Sequence, residues 1–378
     1  MKIIIGADVV ATENNIDDFK NANIENLIGK ELMEEWESSD IRIFNIEGPI
    51  TDRCNPIIKN GPHLRMGRDV MPGIKSLNPT VVTLANNHIM DQGEIGITET
   101  IRLLKEYGIH YTGIGQNAES AAKTFVIENG ELKIGIYACS ETEFSVKSEG
   151  ITANGYNPLR TYDDIKKSKE NCDYLIVLYH GGRECYRLPT PQLQDRFKKM
   201  ASEGADAVIA QHTHCVGGYE IFDGALLVYG QGNFIFDLKD DEYWNSGLLI
   251  EIDIEKKDIN YKFIPITKKD GRIRKAEGIR ENEIMKGFYE RSQSITRAGF
   301  INDQYGKYAD EQLEIMLRSV GKESLVFRLL NRIVGGGLVF KKYKKAELVR
   351  LLNYIECESH RELLIAGLKR RINQFLEV

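Results

Sequence analysis

The strongest constraint on the fold is a series of short apolar runs, rich in β-branched residues, that recur through the first 270 residues and stop at turn residues. They include "KIIIG", "IRIFNIE", "PTVVTLAN", "CDYLIVLYHGG", "GADAVIAQ" and "GLLIEIDIEKKDINYKFIPI". Several are apolar throughout, as strands buried on both faces must be. Helix-period segments lie between some of them. In "GITETIRLLKEYG", Ile97, Ile101, Leu104 and Tyr107 fall close to one face, and Gly108 ends the helix. In "TPQLQDRFKKMASEGA", Thr190 is placed to cap, Pro191 takes the first helical position and Gly204 lies past the end. Residues 124–138 and 219–266 read instead as hairpins, with "ENGE" and "FDGA" as turns. Alternation plus hairpins predicts α/β layers with mixed rather than purely parallel sheets.

After residue 270 the texture changes. "KKDGRIRKAEG" reads as a polar link and the remainder almost entirely as helix, so two regions are expected, 1–270 and 271–378. Residues 322–378 hold twelve Lys or Arg against six Asp or Glu, a net of +6 where the whole chain carries −6, which leaves about −12 on the first 321 residues. Within them "RLLNRIVGGGLVFKKYKKAELVRLLNYIE" is amphipathic and broken by Gly335, Gly336 and Gly337. It reads as a helical cap on the core, or as a basic face for a membrane or a partner. The negative net charge weighs against a general nucleic-acid binder. The apolar stretch in "MKIIIGADVV" is too short for a secretory leader, and no window has 18 uninterrupted apolar residues, so a cytoplasmic protein is expected. The six cysteines form no CxxC pair and read as free thiols in a reducing compartment, with Cys185 and Cys215 as packing residues despite nearby histidines.

Polar residues appear repeatedly where an apolar run stops, the place where α/β proteins build their sites. Asp8 follows "IIIGA", Asn45 and Glu47 follow "IRIF", Asn87 and His88 follow "VVTLAN", His180 follows "YLIVLY", and His212 and His214 follow "AVIAQ". Each alone has a plain explanation: Asp8 a helix cap, His88 a core histidine, Asn86 a turn residue, Glu47 a partner for Arg42 or Arg65. The doublet "HTH" is stronger, because residues i and i+2 of an extended segment face the same way and present two imidazoles to one point. Together a carboxylate pair, an amide oxygen and three imidazoles form a nitrogen and oxygen set suited to a divalent metal such as Mn, Fe or Zn.

The blocks "GADVV", "FNIEGPIT", "TLANNHIMDQGEIGITETIRLLKEYGIHYTGIG", "YHGGRE" and "PTPQLQDRFKKMASEGADAVIAQHTHCVGGYEIFDGALLVYGQGNFIFD" resemble those of the bacterial capsule-synthesis protein A family, the poly-γ-glutamate capsule biosynthesis proteins. That family is a divergent branch of the calcineurin-like metallophosphoesterases. The resemblance runs in order from about residue 2 to about residue 265 and does not reach the helical tail. It implies a two-sheet β-sandwich flanked by helices, four layers α/β/β/α, with a C-terminal all-helical extension and a metal centre at the carboxyl ends of the strands. Carried over residue by residue, Asp8 and His214 bind a first metal, Glu47 bridges, and Asn87, His180 and His212 bind a second. His88 is then the general acid, with Asp91 to orient its imidazole. Asn45 and Glu184 are expected in support, and Arg183, Arg65 and Lys59 as positive charge at the rim for an anionic substrate.

This chain departs from the wider superfamily in two places. Val10 stands where an Asp-x-His block would place its histidine, and Glu47 stands where an aspartate usually bridges. The first metal position is thereby one imidazole poorer, so one or two ions are expected. The implied activity is a metal-dependent phosphatase or phosphodiesterase in capsule or surface-polymer synthesis, acting on a phosphorylated small molecule, a glycan or a lipid-linked intermediate. The alternatives are a non-catalytic capsule assembly or export factor with a structural metal site, and a metal-dependent amide hydrolase acting on the polymer. The basic tail is the candidate for peripheral contact with the inner face of the membrane or with the capsule machinery.

Overall fold

A computed structural model describes residues 1–130, 132–255, 258–320, 325–335 and 337–374. The chain divides into two compact units, Met1–Asn302 and Asp303–Val378. The first opens with β1 (Lys2–Val9), passes through α1 (Ile16–Lys20), α2 (Ile24–Ile28) and α3 (Lys30–Glu37), and returns as β2 (Ile41–Ile46). Helix α4 (Met71–Ser76) leads into β3 (Val81–Thr83), and α5 (Gly93–Glu106) into β4 (His110–Thr112) and β5 (Ile114–Gly115). Next come α6 (Ala118–Ala121), β6 (Phe125–Asn129), β7 (Leu132–Ser140) and β8 (Thr152–Ala153). Two strand and helix alternations follow: α7 (Thr161–Lys169) with β9 (Tyr174–His180), then α8 (Pro191–Ser202) with β10 (Ala207–Gln211). The unit finishes with β11 (Tyr219–Phe222), β12 (Ala225–Val228), β13 (Asn233–Ile235), β14 (Ser246–Glu255), β15 (Asp258–Lys269), β16 (Arg272–Lys275) and α9 (Gly278–Ile295).

One sheet has the strand order β16-β15-β14-β1-β2-β3-β4, with β13 also on β1, and a second has the order β11-β12-β10-β9-β7-β6. Strands β1 to β4 are parallel, as are β7, β9, β10 and β12, while hairpins supply the antiparallel edges. The mixed sheets predicted from alternation plus hairpins are therefore present. In the β11–β12 hairpin Asp223 and Gly224 take φ of 49° and 83°, the double left-handed conformation that suits a two-residue turn. In the "ENGE" turn of the β6–β7 hairpin, Glu131 lies outside the described residues. Helix α8 begins as its sequence predicts, with Thr190 Oγ1 accepting the N–H of Leu193 at 3.1 Å and Pro191 in the first turn.

The layers follow from side-chain alternation. Ile3, Ile5, Ile41 and Ile43 of the first sheet meet Ile176, Leu178, Ala207 and Ile209 of the second in a core between the sheets. Ile4, Phe44 and Val82 point the other way, under Phe19, Leu27, Trp36 and Ile97 of the helices. On the far side Val177 and Val208 pack against Ile165 of α7 and Leu193 and Phe197 of α8. The four layers α/β/β/α result, and burying each such large aliphatic side chain stabilises them by roughly 1.5–3 kcal/mol.

One irregularity positions the site. Pairing of β1 with β2 is regular from Ile3 to Ile5, opposite Ile41 to Ile43, and then shifts so that Asp8 faces Asn45. One extra residue at Gly6–Ala7 therefore inverts the alternation. Ile3 and Ile5 face the inter-sheet core and Val9 the helical side, so Asp8 turns between the sheets. Gly6 makes the bulge possible, because a Cβ there would meet Phe234 Cδ1 at 2.6 Å.

The structure corrects the reading of residues 269–275. They form the β15–β16 hairpin, with Lys269 opposite Arg272 and with Asp270 and Gly271 at φ of 50° and 73°. Ile273 is buried in the helix-side core, so this "polar link" is part of the sheet. Helix α9 then buries Ile284 and Phe288 against Val216 and Leu248. The first unit accordingly runs to Asn302, past the boundary expected at residue 270.

Beyond it α10 (Phe300–Val320) runs into the second unit, which is helical as expected: α11 (Leu325–Ile333), α12 (Leu338–Lys342), α13 (Lys345–Glu356) and α14 (Glu358–Gln374). Gly335 and Gly337 take positive φ at the predicted break, and Gly336 lies outside the described residues. Among the described residues no helix is long and apolar enough to cross a membrane.

Candidate metal centre

The carboxyl ends of the parallel strands bring six of the predicted residues together. From the first sheet come Asp8, buried at the end of β1, and Glu47, buried one residue past β2. From the second comes His180, the last residue of β9, which continues the inward face of Ile176 and Leu178. His180 Nδ1 lies 3.6 Å from Asp8 Oδ1, and its Nε2 lies 3.4 Å from Glu47 Oε1 and 3.0 Å from Asn87 Oδ1. The rings of His180 and His212 are 4.8 Å apart, and those of His212 and His214 are 5.8 Å apart.

The two HTH histidines converge, but not by strand alternation. Strand β10 ends at Gln211, and His212 and His214 both take left-handed backbone, at φ of 84° and 52°. That conformation is uncommon for any residue except glycine and holds only where surrounding contacts enforce it. Here the His212 N–H donates to Asp8 Oδ2 at 3.1 Å. The His214 ring is stacked on Trp244 with centroids 4.3 Å apart, and its Nδ1 pairs with Asn233 Oδ1 at 2.8 Å.

Glu47 is the chemically telling member. Both carboxylate oxygens are buried, and among the described residues neither has a hydrogen-bond partner. Neither arginine offered as a plain partner reaches it: Arg42 donates to the carbonyls of Asn78 and Ser39, and Arg65 to that of Asp52. A buried carboxylate that accepts no hydrogen bond is costly even with His180 at ion-pair distance, and a bound cation lowers that cost. The donor geometry fits one. The ligand atoms of Asp8, Glu47 and His214 lie within 4.8 Å of one another, as do those of Glu47, His180 and His212, so Glu47 is common to both groups. A third such group joins Glu184 to His212 and His214, with Glu184 Oε1 3.8 Å from His212 Nε2.

Electrostatics sort the imidazoles. Burial, then the neighbouring His180, His214, His88 and Arg183, hold His212 well below the usual histidine range, which leaves it neutral with one nitrogen lone pair to offer. Burial also pushes His180 downward, but the carboxylates of Asp8 and Glu47 outweigh it and hold this ring up, at about 10. Burial raises the Asp8 carboxyl, and His180, His214 and Asn45 together more than offset that, leaving it below its ordinary value.

His88 stands to one side of this cluster with its own support. Its Nδ1 lies 2.6 Å from Asp91 Oδ2, the pairing expected of an orienting carboxylate, and Asp91 Oδ2 also accepts the N–H of Leu64 at 2.7 Å. Lys59 departs from its expected place at the rim. Its side chain is 1% exposed, its Nζ 2.5 Å from Asp91 Oδ1 and 3.0 Å from His88 Nδ1.

Asn45 holds the strand ends together: it donates to Asp8 Oδ1 at 2.7 Å and accepts from Thr83 Oγ1 and Asn86 Nδ2. Asn86 is more than a turn residue, since it is buried, also donates to the Ile46 carbonyl, and accepts the His88 N–H. Arg183 and Glu184 are exposed beside His212, whereas Arg65 is exposed and held by the Asp52 carbonyl instead of facing the cluster. Sequence reasoning missed Asn233 and Trp244. Asn233, a carboxamide inside "GNFIF", left a readable signal, and Trp244, in a polar loop, left none.

Residues 2–238 match the family described as "Bacterial capsule synthesis protein PGA_cap". The capsule biosynthesis protein CapA of Bacillus anthracis is 29% identical over 184 residues, 46% of this chain and 44% of that one. The PGA biosynthesis protein CapA of Bacillus subtilis (strain 168) is 27% identical over 207 residues, 53% of this chain and 54% of that one. The chain thus spans about half the length of the curated relatives it matches. A crystal structure of a novel phosphatase from Mycoplasma pneumoniae covers 71% of this chain and 94% of its own, at 17% identity and a TM-score of 0.46. A superposition that loose carries neither fold nor chemistry across.

Proposed function

Because the chain belongs to the bacterial capsule synthesis protein family, we propose that its buried cluster is a divalent-metal centre that hydrolyses a phosphoester in the making of a surface polymer. The observation that carries this reading is Glu47, whose two buried, unpartnered oxygens face the imidazoles of His180, His212 and His214. Asp8, Glu47 and His214 would hold one ion, and Glu47, Asn87, His180 and His212 a second, with Mn, Fe or Zn suited to such ligands. Metal bound there supplies an activated water and charge stabilisation for in-line attack on phosphorus.

The protein's own groups supply orientation and the proton. Asn233 accepts from His214 Nδ1, which leaves Nε2 as the coordinating nitrogen, as a carboxamide or carboxylate behind a metal-bound histidine does. Asp91 accepts from His88 Nδ1 in the same way and leaves Nε2 to carry a proton to the leaving oxygen. Lys59 neutralises Asp91, so that the carboxylate orients the ring inside a balanced group of three. Arg183, beside His212, is placed to attract an anionic substrate.

The test joins metal analysis to turnover. Protein purified without chelators should carry a transition metal and hydrolyse p-nitrophenyl phosphate or its bis-ester. His88→Ala should keep the metal and lose roughly 100- to 10,000-fold in kcat. Protein that binds no transition metal would sink the proposal. Cleavage of γ-glutamyl peptides with phosphoesters untouched would move it to amide hydrolysis. Metal binding with neither activity would make the centre structural and the protein an assembly factor.

A further inference from the structure

In the second unit, α11 is turned inside out. It exposes Val326, Leu329, Leu330 and Ile333, and Val334 continues the exposure just beyond its last residue. Their spacing of i, i+3, i+4, i+7 and i+8 makes one continuous apolar stripe. Phe327 is half-buried, and among the described residues of the helix the fully buried one is polar. Asn331 is 2% exposed, donates from Nδ2 to Glu314 Oε1 at 2.8 Å and accepts the Leu338 N–H at 2.9 Å. Glu314 also accepts the Gly337 N–H, at 3.1 Å to Oε2 and 3.2 Å to Oε1. This network ties the polar side of α11 to α10 and to the start of α12, so the leucines cannot roll inward without breaking it.

The sequence around the stripe is basic. Arg328 and Arg332 stand one turn apart on the flank of α11 beyond Leu329, beside a groove shared with Glu311, Glu314 and Arg318 of α10; Phe340 adds an exposed ring, and in the sequence Lys341, Lys342, Lys344 and Lys345 follow. From residue 325 to 346 there are six Lys or Arg and no Asp or Glu. We propose that this face docks peripherally on an anionic lipid surface. The stripe enters the boundary between headgroups and acyl chains while the arginines and lysines meet the lipid phosphates. A second copy of the chain is a poorer occupant, because it would set six cations against six. Docking here does not depend on the metal centre, and its failure would leave that reading untouched.

The full chain, floated with phosphatidylglycerol vesicles, should rise with them, stay behind with phosphatidylcholine vesicles, and be released from the anionic ones by 1 M salt. L329S/L330S and R328E/R332E should each weaken the partition roughly tenfold or more. Far-UV circular dichroism should stay unchanged in both, since all four side chains are exposed. The proposal is overturned if the wild type does not float with phosphatidylglycerol, or if both variants are recovered like the wild type. It is equally overturned if the stripe instead drives a concentration-dependent doubling of mass without vesicle binding.

Discussion

Glu47 and Lys59 are opposite cases of a buried charge. Lys59 has its counter-ion in Asp91, whereas the Glu47 oxygens have no protein donor among the described residues. Glu47→Gln should therefore act in opposite directions with and without metal. In chelator-treated protein the variant should unfold at a higher urea concentration than wild type, by an amount equivalent to about 1–3 kcal/mol, since a buried carboxylate that accepts no hydrogen bond and has its ion-pair contact only with His180, among the described residues, is gone. In metal-supplemented protein it should unfold earlier and bind less metal. Equal denaturation midpoints in chelator would show that Glu47 is not stranded. At this scale the residues of the cluster were legible because each ends an apolar run, and Glu47 could be told from a surface glutamate by "IRIFNIE" before it. Lys59 was not legible as a buried group. It lies in an irregular loop with no periodicity, and only the folded loop shows its ammonium beside His88 and Asp91. Asn86 was undervalued for a related reason: side chains that hydrogen-bond to backbone are found equally in turns and in buried cross-links.

Elements were easiest to read where apolar runs are long. Strands β1, β9 and β10, together with α5 and α8, lie where alternation and capping residues place them. The β15–β16 hairpin was missed because "GRIRK" offers one apolar residue, although Asp270–Gly271 is itself a two-residue turn signal. The extended reading of "HTH" failed for a different reason: local sequence does not announce that contacts to Asp8, Asn233 and Trp244 will force two histidines into left-handed backbone. The bulge in β1 is the element on which the site turns. Gly6→Ala would drive a methyl group into Phe234, next to the Asn233 that holds His214. A loss of about 1–3 kcal/mol in urea unfolding is expected, with a lower metal content. Adding Phe234→Leu should restore part of both. If Gly6→Ala alone unfolds and loads like wild type, the bulge does not depend on a glycine.

For the whole molecule, both tryptophans, Trp36 and Trp244, belong to the unit that carries the cluster. Intrinsic fluorescence should therefore report its unfolding without the helical unit. Manganese at about 100 times its Kd should stabilise that transition by about 2.7 kcal/mol, and the gain should shrink in Glu47→Gln. A melt indifferent to metal would mean that the cluster binds none. The division into an acidic α/β unit and a basic helical unit was legible in outline from charge and periodicity, but its boundary was not, because β16 and α9 are too polar to look like core. The acid-free segment around α11 also bears on handling. A chain of net charge −6 would be sent to an anion-exchange resin, yet a run of six cations without one acid can grip heparin or a cation exchanger at the same pH. Retention on both resins, each reversed by salt, is the chromatographic behaviour to expect of a polypeptide whose average charge conceals its local one.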